Sequence, residues 1–115
     1  MTVKEEFMRI MQTRKRAKEE QNYIIFAGFD TDDIVDVLSR NYMETKILIL
    51  NATKEEIGVA IEALEDLVRS FTKEQAQELV AIFKQKAIDF PDIQNYCDCD
   101  YIEQIEAAES YLEEL

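Results

Sequence analysis

Histidine and tryptophan are absent from this chain of 115 residues, proline occurs once and glycine twice. Without histidine, the chain lacks the most frequent general base and the usual partner of a nucleophilic cysteine. So few glycines and prolines disfavour folds that are rich in tight turns, such as small β-barrels. The composition therefore favours helices and gives little support to enzymatic chemistry.

The sequence motifs of catalysis and cofactor binding are also missing. The chain contains no glycine-rich phosphate loop and none of the patterns GxSxG, HExxH and CxxC. Asp30 and Asp32 alternate as calcium ligands do, but the glycine and glutamate of an EF-hand loop are not at the required offsets. We expect these aspartates to cap a helix, and we expect no enzymatic activity, no cofactor and no bound metal.

Only two cysteines are present, Cys97 and Cys99, with a single residue between them. A bond between them would close a loop too short to stabilise the fold, and two thiols without histidine do not make a zinc site in one chain. We interpret both as structural or incidental thiols, with a redox or intermolecular metal role as the alternative.

Long apolar runs are missing as well. No run approaches the roughly 18 residues of a membrane helix, and the first residues lack the apolar block of a signal peptide. These features predict a cytoplasmic protein without membrane contact.

The strongest periodic pattern lies in residues 53–89, where apolar side chains recur at steps of three and four, as on one face of a helix. Thr53 and Thr72 each stand three residues before a glutamate or glutamine, the spacing of a capping box. The two boxes predict two helices that meet near residues 70–72, with one long helix as the alternative. Gly58 costs a helix about 1 kcal/mol relative to alanine. We interpret it as a tolerated imperfection, with a close helix contact as the alternative.

Three more helices are expected. Thr2 opens one with a capping box, and we expect it to reach about residue 27, where Gly28 would end it. A second follows Asp30 and ends near residues 41–43, and a third follows Asp100. The fold class is therefore all-α, a compact bundle of about five helices in one domain over residues 1–115. The apolar run 46–50 is predicted to be a short buried helix or connector; the alternative is a minimal two-stranded β element from residues 23–26 and 46–50.

The net charge of −12 is distributed unevenly along the chain. Residues 1–20 carry six basic and four acidic side chains, whereas residues 87–115 carry nine acidic side chains and no basic one. The last helix is thus predicted to have one acidic face that no later residue can neutralise. Its apolar face is predicted to consist of Tyr101, Ile105, Ala108, Leu112 and Leu115. The predicted partner-binding acidic face consists of Asp98, Asp100, Glu103, Glu106, Glu109, Glu113 and Glu114.

A secondary basic patch is predicted in the first helix, at Arg14, Lys15, Arg16 and Lys18. Such a cluster can contact phosphate groups. It can equally be a solvated helix surface that pairs with the acidic C-terminal segment, within one chain or between two. Because the rest of the chain is acidic, we expect no direct binding of nucleic acid.

These features predict a protein that acts by binding another protein with a basic surface. Carboxylates on a stiff helix can imitate the regular charge of a phosphate backbone and occupy a groove made for nucleic acid. By class-level analogy, this would suit a phage or mobile-element inhibitor that blocks a DNA- or RNA-binding host protein. The alternative is a self-associating structural subunit or assembly chaperone, in which the basic patch of one copy meets the acidic helix of another and Tyr96, Tyr101 and Tyr111 join the interface.

Overall fold

Helices and short 3-10 segments are the regular elements in the part of the chain that the structure, a computed structural model, describes: residues 1–20 and 30–115. The helices are α1 (Val3–Glu20), α2 (Thr31–Leu38), α3 (Tyr42–Leu50), α4 (Lys54–Ala60), α5 (Leu64–Ser70), α6 (Lys73–Asp89) and α7 (Tyr101–Glu113). The 3-10 segments are Ile61–Ala63 and Ile93–Tyr96. No strand occurs in these ranges, and the all-α prediction is confirmed.

The central stretch consists of two helical rods, as the two capping boxes predict. Thr53 begins the first rod, in which the 3-10 segment Ile61–Ala63 joins α4 to α5 without leaving helical backbone geometry. Phe71 interrupts the helical path with extended backbone, φ −109° and ψ 169°. Thr72 then caps α6, and its side chain and that of Gln75 each accept the other's backbone N–H at 3.2 and 3.1 Å.

Residues 46–50 lie in α3, so the alternative two-stranded element is wrong for this segment. Asn41 begins α3 by accepting the backbone N–H of Glu44 at 3.1 Å, and Thr45 donates to the carbonyl of Leu38 at 2.6 Å. These two bonds fix a helical start that the apolar run alone does not reveal. The other half of the alternative, residues 23–26, and the helix end predicted at Gly28 lie outside the described residues.

The rod formed by α4 and α5 is the centre of the packing. Its 3-10 segment and α5 contact α2 on one side and α7 on another, and α5 also contacts α6. The buried apolar side chains form one cluster to which every α-helix contributes. The radius of gyration of 13.6 Å is close to the roughly 13 Å of a compact chain of this length. Within the described ranges, no helix has both the length and the apolar character needed to cross a bilayer.

Gly58 is required by packing, which corrects its interpretation as a tolerated imperfection. A Cβ atom at this position would lie 2.0 Å from the backbone oxygen of Tyr96. The 3-10 segment Ile93–Tyr96 packs directly on α4 because glycine leaves that space open. The close-contact alternative was therefore right, although the neighbour is a connecting segment and not another long helix.

Two predictions for the last helix are also corrected. Leu115 was expected on the apolar side but is 61% exposed, because α7 ends at Glu113. Tyr101 is fully buried, as its place on the apolar side predicts, so its exposure in the self-association alternative is wrong. Its ring packs near that of Phe83, with the ring centroids 6.5 Å apart.

Candidate acidic interface

Helix α7 presents most of its glutamates to solvent because its apolar side is fully used in packing. Tyr101, Ile105, Ala108 and Leu112 are buried against α5 and α6. Their spacing of three and four residues places them on one side of the helix, so the opposite side must face water. That side carries Glu103, Glu106, Glu113 and Glu114, all of which are exposed.

Hydrogen bonds hold the start of α7 firmly in place. The buried hydroxyl of Tyr101 donates to the backbone oxygen of Phe83 at 2.6 Å, which ties α7 to α6. The side chain of Gln94 accepts the backbone N–H of Tyr101 and donates to the backbone oxygen of Cys99, both at 2.8 Å. Asp100 accepts the backbone N–H of Glu103 at 3.1 Å. The acidic side therefore stands on a rigid support.

Glu109 differs from the other predicted members of the acidic face. Its carboxylate lies 3.2 Å from the ammonium nitrogen of Lys84 on α6 and is only half-exposed. On the opposite flank of α7, the guanidinium of Arg69 on α5 lies over the ring of Tyr111, 4.9 Å from its centroid. Cations from earlier helices thus reach both edges of α7, which the sequence pattern did not reveal because they lie distant in the chain.

The four exposed glutamates form no ion pair with the described residues, whose nine salt bridges involve other carboxylates. With a rise of about 1.5 Å per residue, Glu103 and Glu114 are about 16 Å apart along the helix axis. Without Glu109, whose charge Lys84 partly neutralises, the face has one carboxylate per roughly 5.5 Å. One strand of B-DNA carries one phosphate per roughly 3.4 Å of axis, so the unpaired charge on α7 is less dense than that of a DNA strand.

The two aspartates that precede α7 have other contacts. Asp98 lies 3.8 Å from the ammonium nitrogen of Lys18, an exposed pair that connects the segment to α1. Asp100 is the N-cap of α7. We therefore restrict the name α7 acidic face to Glu103, Glu106, Glu109, Glu113 and Glu114.

The predicted basic patch is divided by the fold. Arg14 is buried, with 5% of its surface exposed, and its guanidinium lies 2.6 Å from the carboxylate of Glu62. It was expected on a solvated surface, but it faces the 3-10 segment at the centre of the rod. Lys15, Arg16 and Lys18 are exposed; Arg16 pairs with Glu20 at 3.2 Å. The pairing of this stretch with the acidic C-terminal segment occurs within the chain, through Lys18.

The basic and acidic helices occupy different sides of the bundle. Helix α1 packs on α2 and α3, whereas α7 packs on α5 and α6. The basic helix α1 and the acidic helix α7 are thus separated in space as well as in the sequence.

A cleft of about 410 Å³ lies between α1 on one side and residues 55–62 and 95–98 on the other. It was not foreseen from the sequence, because its walls come from three separate stretches. It is lined by Met11, Gln12, Arg14, Lys15, Lys18, Glu55, Gly58, Val59, Glu62, Asn95, Tyr96 and Asp98. Basic side chains stand on the α1 wall and carboxylates on the opposite wall. Ion pairs cross the cleft between Arg14 and Glu62 and between Lys18 and Asp98.

Both thiols are half-buried near this cleft, and their ionisation is suppressed. Burial, together with the charges of nearby groups including Glu62, raises the pKa of Cys97 to about 12. Burial likewise raises the pKa of Cys99, with a further contribution from Glu62. The Cys97 thiol donates to the backbone oxygen of Ile93 at 3.2 Å. Thiols in such surroundings are weak nucleophiles.

Residues 1–20 and 30–115 contain no group of three or more histidine, cysteine, aspartate or glutamate side chains arranged to hold a metal ion. Comparisons with protein-family models, with curated proteins and with solved structures found no match for this chain.

Proposed function

We propose that this acidic protein binds the basic surface of another protein through the α7 acidic face and thereby excludes nucleic acid from that surface. The observation that supports this best is the density of unpaired charge on one anchored helix. Four glutamates of α7 have no basic partner in the described part of the chain, although five of the seven basic side chains after residue 30 take part in ion pairs.

Electrostatic complementarity explains what such a face would achieve. A groove lined with lysine and arginine attracts a regular row of negative charges, and the attraction accelerates association as well as selecting the partner. A rigid helix loses little conformational entropy on binding, because its carboxylates are already ordered along one side. The partner class is therefore a protein that itself binds DNA or RNA. An inhibitor from a phage or mobile element, acting in the cytoplasm on a host protein, fits this mode.

The alternative, self-association through the basic stretch of α1, receives less support. Arg14, Arg16 and Lys18 each have an ion-pair partner in their own chain. Two copies would also have to approach each other while each carries a net charge of −12. A contact between copies would have to replace these pairs and overcome this repulsion.

Capture of the partner with matched charge variants tests the proposal. One variant reverses Glu106, Glu113 and Glu114 to lysine. The control reverses Glu19, Asp66 and Asp89, three exposed carboxylates on other helices, with the same change in net charge. Five of the six changes avoid the first turn of a helix, where a lysine would oppose the helix dipole. Asp66 lies in the first turn of α5, but the 3-10 segment joins α5 to α4, so this turn is not a free helix end.

Immobilised wild-type protein and both variants are incubated with lysate from the native host, and bound proteins are identified by mass spectrometry. We expect a nucleic-acid-binding protein that the wild type and the control retain, that the α7 variant loses, and that duplex DNA or RNA displaces. Equal retention by both variants would refute the proposal.

A further inference from the structure

The row of carboxylates on α7 is interrupted near its middle. Its members Glu103, Glu106, Glu109 and Glu113 follow one another at steps of three, three and four residues, the spacing of neighbours along one side of a helix. Of these four, only Glu109 forms an ion pair with a described residue, and its carboxylate lies 3.2 Å from the ammonium nitrogen of Lys84. The row of free charge is therefore broken at Glu109.

The free carboxylates form two groups, one on each side of this break. Glu103 and Glu106 stand toward the start of α7, whereas Glu113 and Glu114 stand at its end. At about 1.5 Å per residue, the step from Glu106 to Glu113 separates the two groups by roughly 10 Å along the helix axis. We call these two groups the end pairs of the α7 acidic face.

The ion pair between Lys84 and Glu109 contributes little to the stability of the bundle. Its side chains are 54% and 39% exposed, and exposed ion pairs add little to the free energy of folding. Helix α7 is already held by its buried side chains and by the hydrogen bond from Tyr101 to Phe83. Lys84 therefore acts mainly on the charge of this surface and not on the position of the helix.

The other cations near α7 in the described ranges have different contacts. Arg69, on the opposite flank, lies over the ring of Tyr111 and 3.8 Å from Glu65. Lys73 lines the same groove between α6 and α7 as Lys84, but it lies about three turns away and pairs with no described carboxylate. Lys84 is thus the described cation that pairs with the α7 acidic face.

A cation at the middle of an acidic face discriminates among basic partners. A lysine or arginine that approaches the middle of α7 meets the ammonium group of Lys84 and must replace its pair with Glu109, so it gains little. Basic side chains near the ends of α7 meet carboxylates that pair with no described residue. Placing a like charge against the wrong partner is a general source of specificity.

We propose that Lys84 determines the specificity of the α7 acidic face, by favouring a partner whose lysine or arginine side chains form two clusters roughly 10 Å apart over a partner with a continuous basic row. A distance of roughly 10 Å corresponds to about three phosphate steps along one strand of B-DNA. The partner is therefore a protein that contacts phosphates about three nucleotides apart. This inference rests on the proposed function, because it concerns the same face.

Two fluorescein-labelled helical peptides serve as probes. Both consist of alanine and four arginines and carry the same net charge. The split peptide has two pairs of arginines with a step of seven residues between the pairs, whereas the continuous peptide spaces its arginines at steps of three and four. Circular dichroism verifies that both peptides are equally helical. Binding is followed by fluorescence anisotropy at an ionic strength of about 0.1 M, where the Debye length of about 10 Å limits long-range attraction.

The test variant is Lys84→Gln, which removes the ammonium group and retains a good helix former. The matched control is Lys4→Gln, at an exposed position of α1 that pairs with no described carboxylate, so the net charge of the two variants is the same. The double variant Lys84→Gln/Glu109→Gln removes both members of the pair. Far-UV circular dichroism verifies that all three variants are folded.

We expect the wild type to bind the split peptide more tightly than the continuous peptide. Lys84→Gln should bind the continuous peptide at least threefold more tightly than the wild type does, and its affinity for the split peptide should change less than twofold. Lys4→Gln should bind both peptides as the wild type does. The double variant should return to the wild-type affinity for the continuous peptide, because Glu109 is then no longer available. No gain for Lys84→Gln, or an equal gain for both peptides, would overturn the proposal.

The triple variants distinguish a failure of this inference from a failure of the proposed function. Loss of both peptides by the Glu106/Glu113/Glu114→Lys variant, with retention by the Glu19/Asp66/Asp89→Lys control, would show that the peptides bind the α7 acidic face. An unchanged peptide preference in Lys84→Gln would then overturn the role of Lys84 alone. Equal binding by the two triple variants would overturn both proposals.

Discussion

Arg14 and Glu62 are 48 residues apart in the sequence, yet their side chains form an ion pair 2.6 Å long that is only 7% and 14% exposed. The pair joins α1 to the 3-10 segment at the centre of the rod. Thr31 of α2 donates to the same carboxylate at 3.4 Å, so three elements meet at Glu62. A charge cluster that resembles a surface patch in the sequence thus contains one residue that helps to hold the bundle together.

Replacing Glu62 with glutamine should lower the free energy of unfolding by about 2–3 kcal/mol, because the change removes the charge from a carboxylate that pairs with a buried guanidinium. Urea denaturation measures the loss. In the double variant Arg14→Met/Glu62→Met the loss should be smaller than the sum of the losses in Arg14→Met and Glu62→Met alone, since the double variant leaves neither charge of the pair buried. Additive losses would show that the pair is not coupled.

Gly58→Ala should destabilise the protein although alanine is the better helix former. Removing glycine from a helix interior gains about 1 kcal/mol. The added methyl group would lie 2.0 Å from the backbone oxygen of Tyr96, and separating two backbone segments costs more than that gain. We expect a net loss of about 1–3 kcal/mol in urea denaturation. Ser110→Ala, at an exposed position of α7, is the control and should leave stability within about 0.5 kcal/mol of the wild type. A Gly58→Ala protein as stable as the wild type would contradict the packing argument.

Tyr101→Phe should weaken the anchoring of α7. The hydroxyl group is buried and donates to the backbone oxygen of Phe83 at 2.6 Å. Its removal should cost about 1–2 kcal/mol of stability. Hydrogen exchange should accelerate more in α7 than in α4, since α7 loses a direct bond to α6 whereas α4 loses none. Uniform acceleration in both helices would indicate that the bond supports the whole fold and not α7 in particular.

The stability of the protein should decrease between about pH 9 and pH 12. Burial raises the pKa of Cys97 to about 12 from the value of 9.0 of a free thiol. The unfolded chain therefore loses this proton at a lower pH than the folded chain does, and the stabilisation present below pH 9 is lost as the pH approaches 12. The pKa of Cys99 is raised as well, so it acts in the same direction.

Urea denaturation at pH 8 and at pH 10.5 measures this effect. Between pH 8 and pH 10.5, the free energy of unfolding should decrease less in the Cys97→Ala variant than in the wild type. In the folded wild type, iodoacetamide at pH 8 should modify both thiols much more slowly than in urea, because the thiolate is the reactive form. Rapid modification of the folded protein would contradict the raised pKa values.

Local sequence signals predicted the starts of the helices better than their ends. The helix after Asp30 was expected to end near residues 41–43, but α2 ends at Leu38 and Asn41 caps the next helix. The pairs Thr53 with Glu56 and Thr72 with Gln75 form the capping boxes that the sequence predicts. They are predictable because the hydrogen bonds that define each box join residues only three positions apart. Pro91 follows the end of α6, as the geometry of the residue before proline requires. Such features depend only on neighbours in the chain and can be recognised without a structure.

Contacts between distant segments were not predictable in this way. The burial of Arg14 depends on Glu62, the need for Gly58 depends on Tyr96, and the partial neutralisation of Glu109 depends on Lys84. The exposure of Met43, Ile47 and Leu50 on α3 was missed for a related reason. An apolar run without periodicity indicates burial but does not show which of its sides finds a partner.

Competition with nucleic acid tests the proposed function most directly. The captured partner is bound to a fluorescently labelled duplex, and this protein is added while anisotropy reports displacement. We predict that the wild type and the Glu19/Asp66/Asp89→Lys control displace the duplex equally. The Glu106/Glu113/Glu114→Lys variant should need at least about tenfold more protein, a loss of about 1.4 kcal/mol in binding free energy. Equal displacement by the two variants, or a stable complex of all three components, would contradict the α7 acidic face as a nucleic-acid mimic.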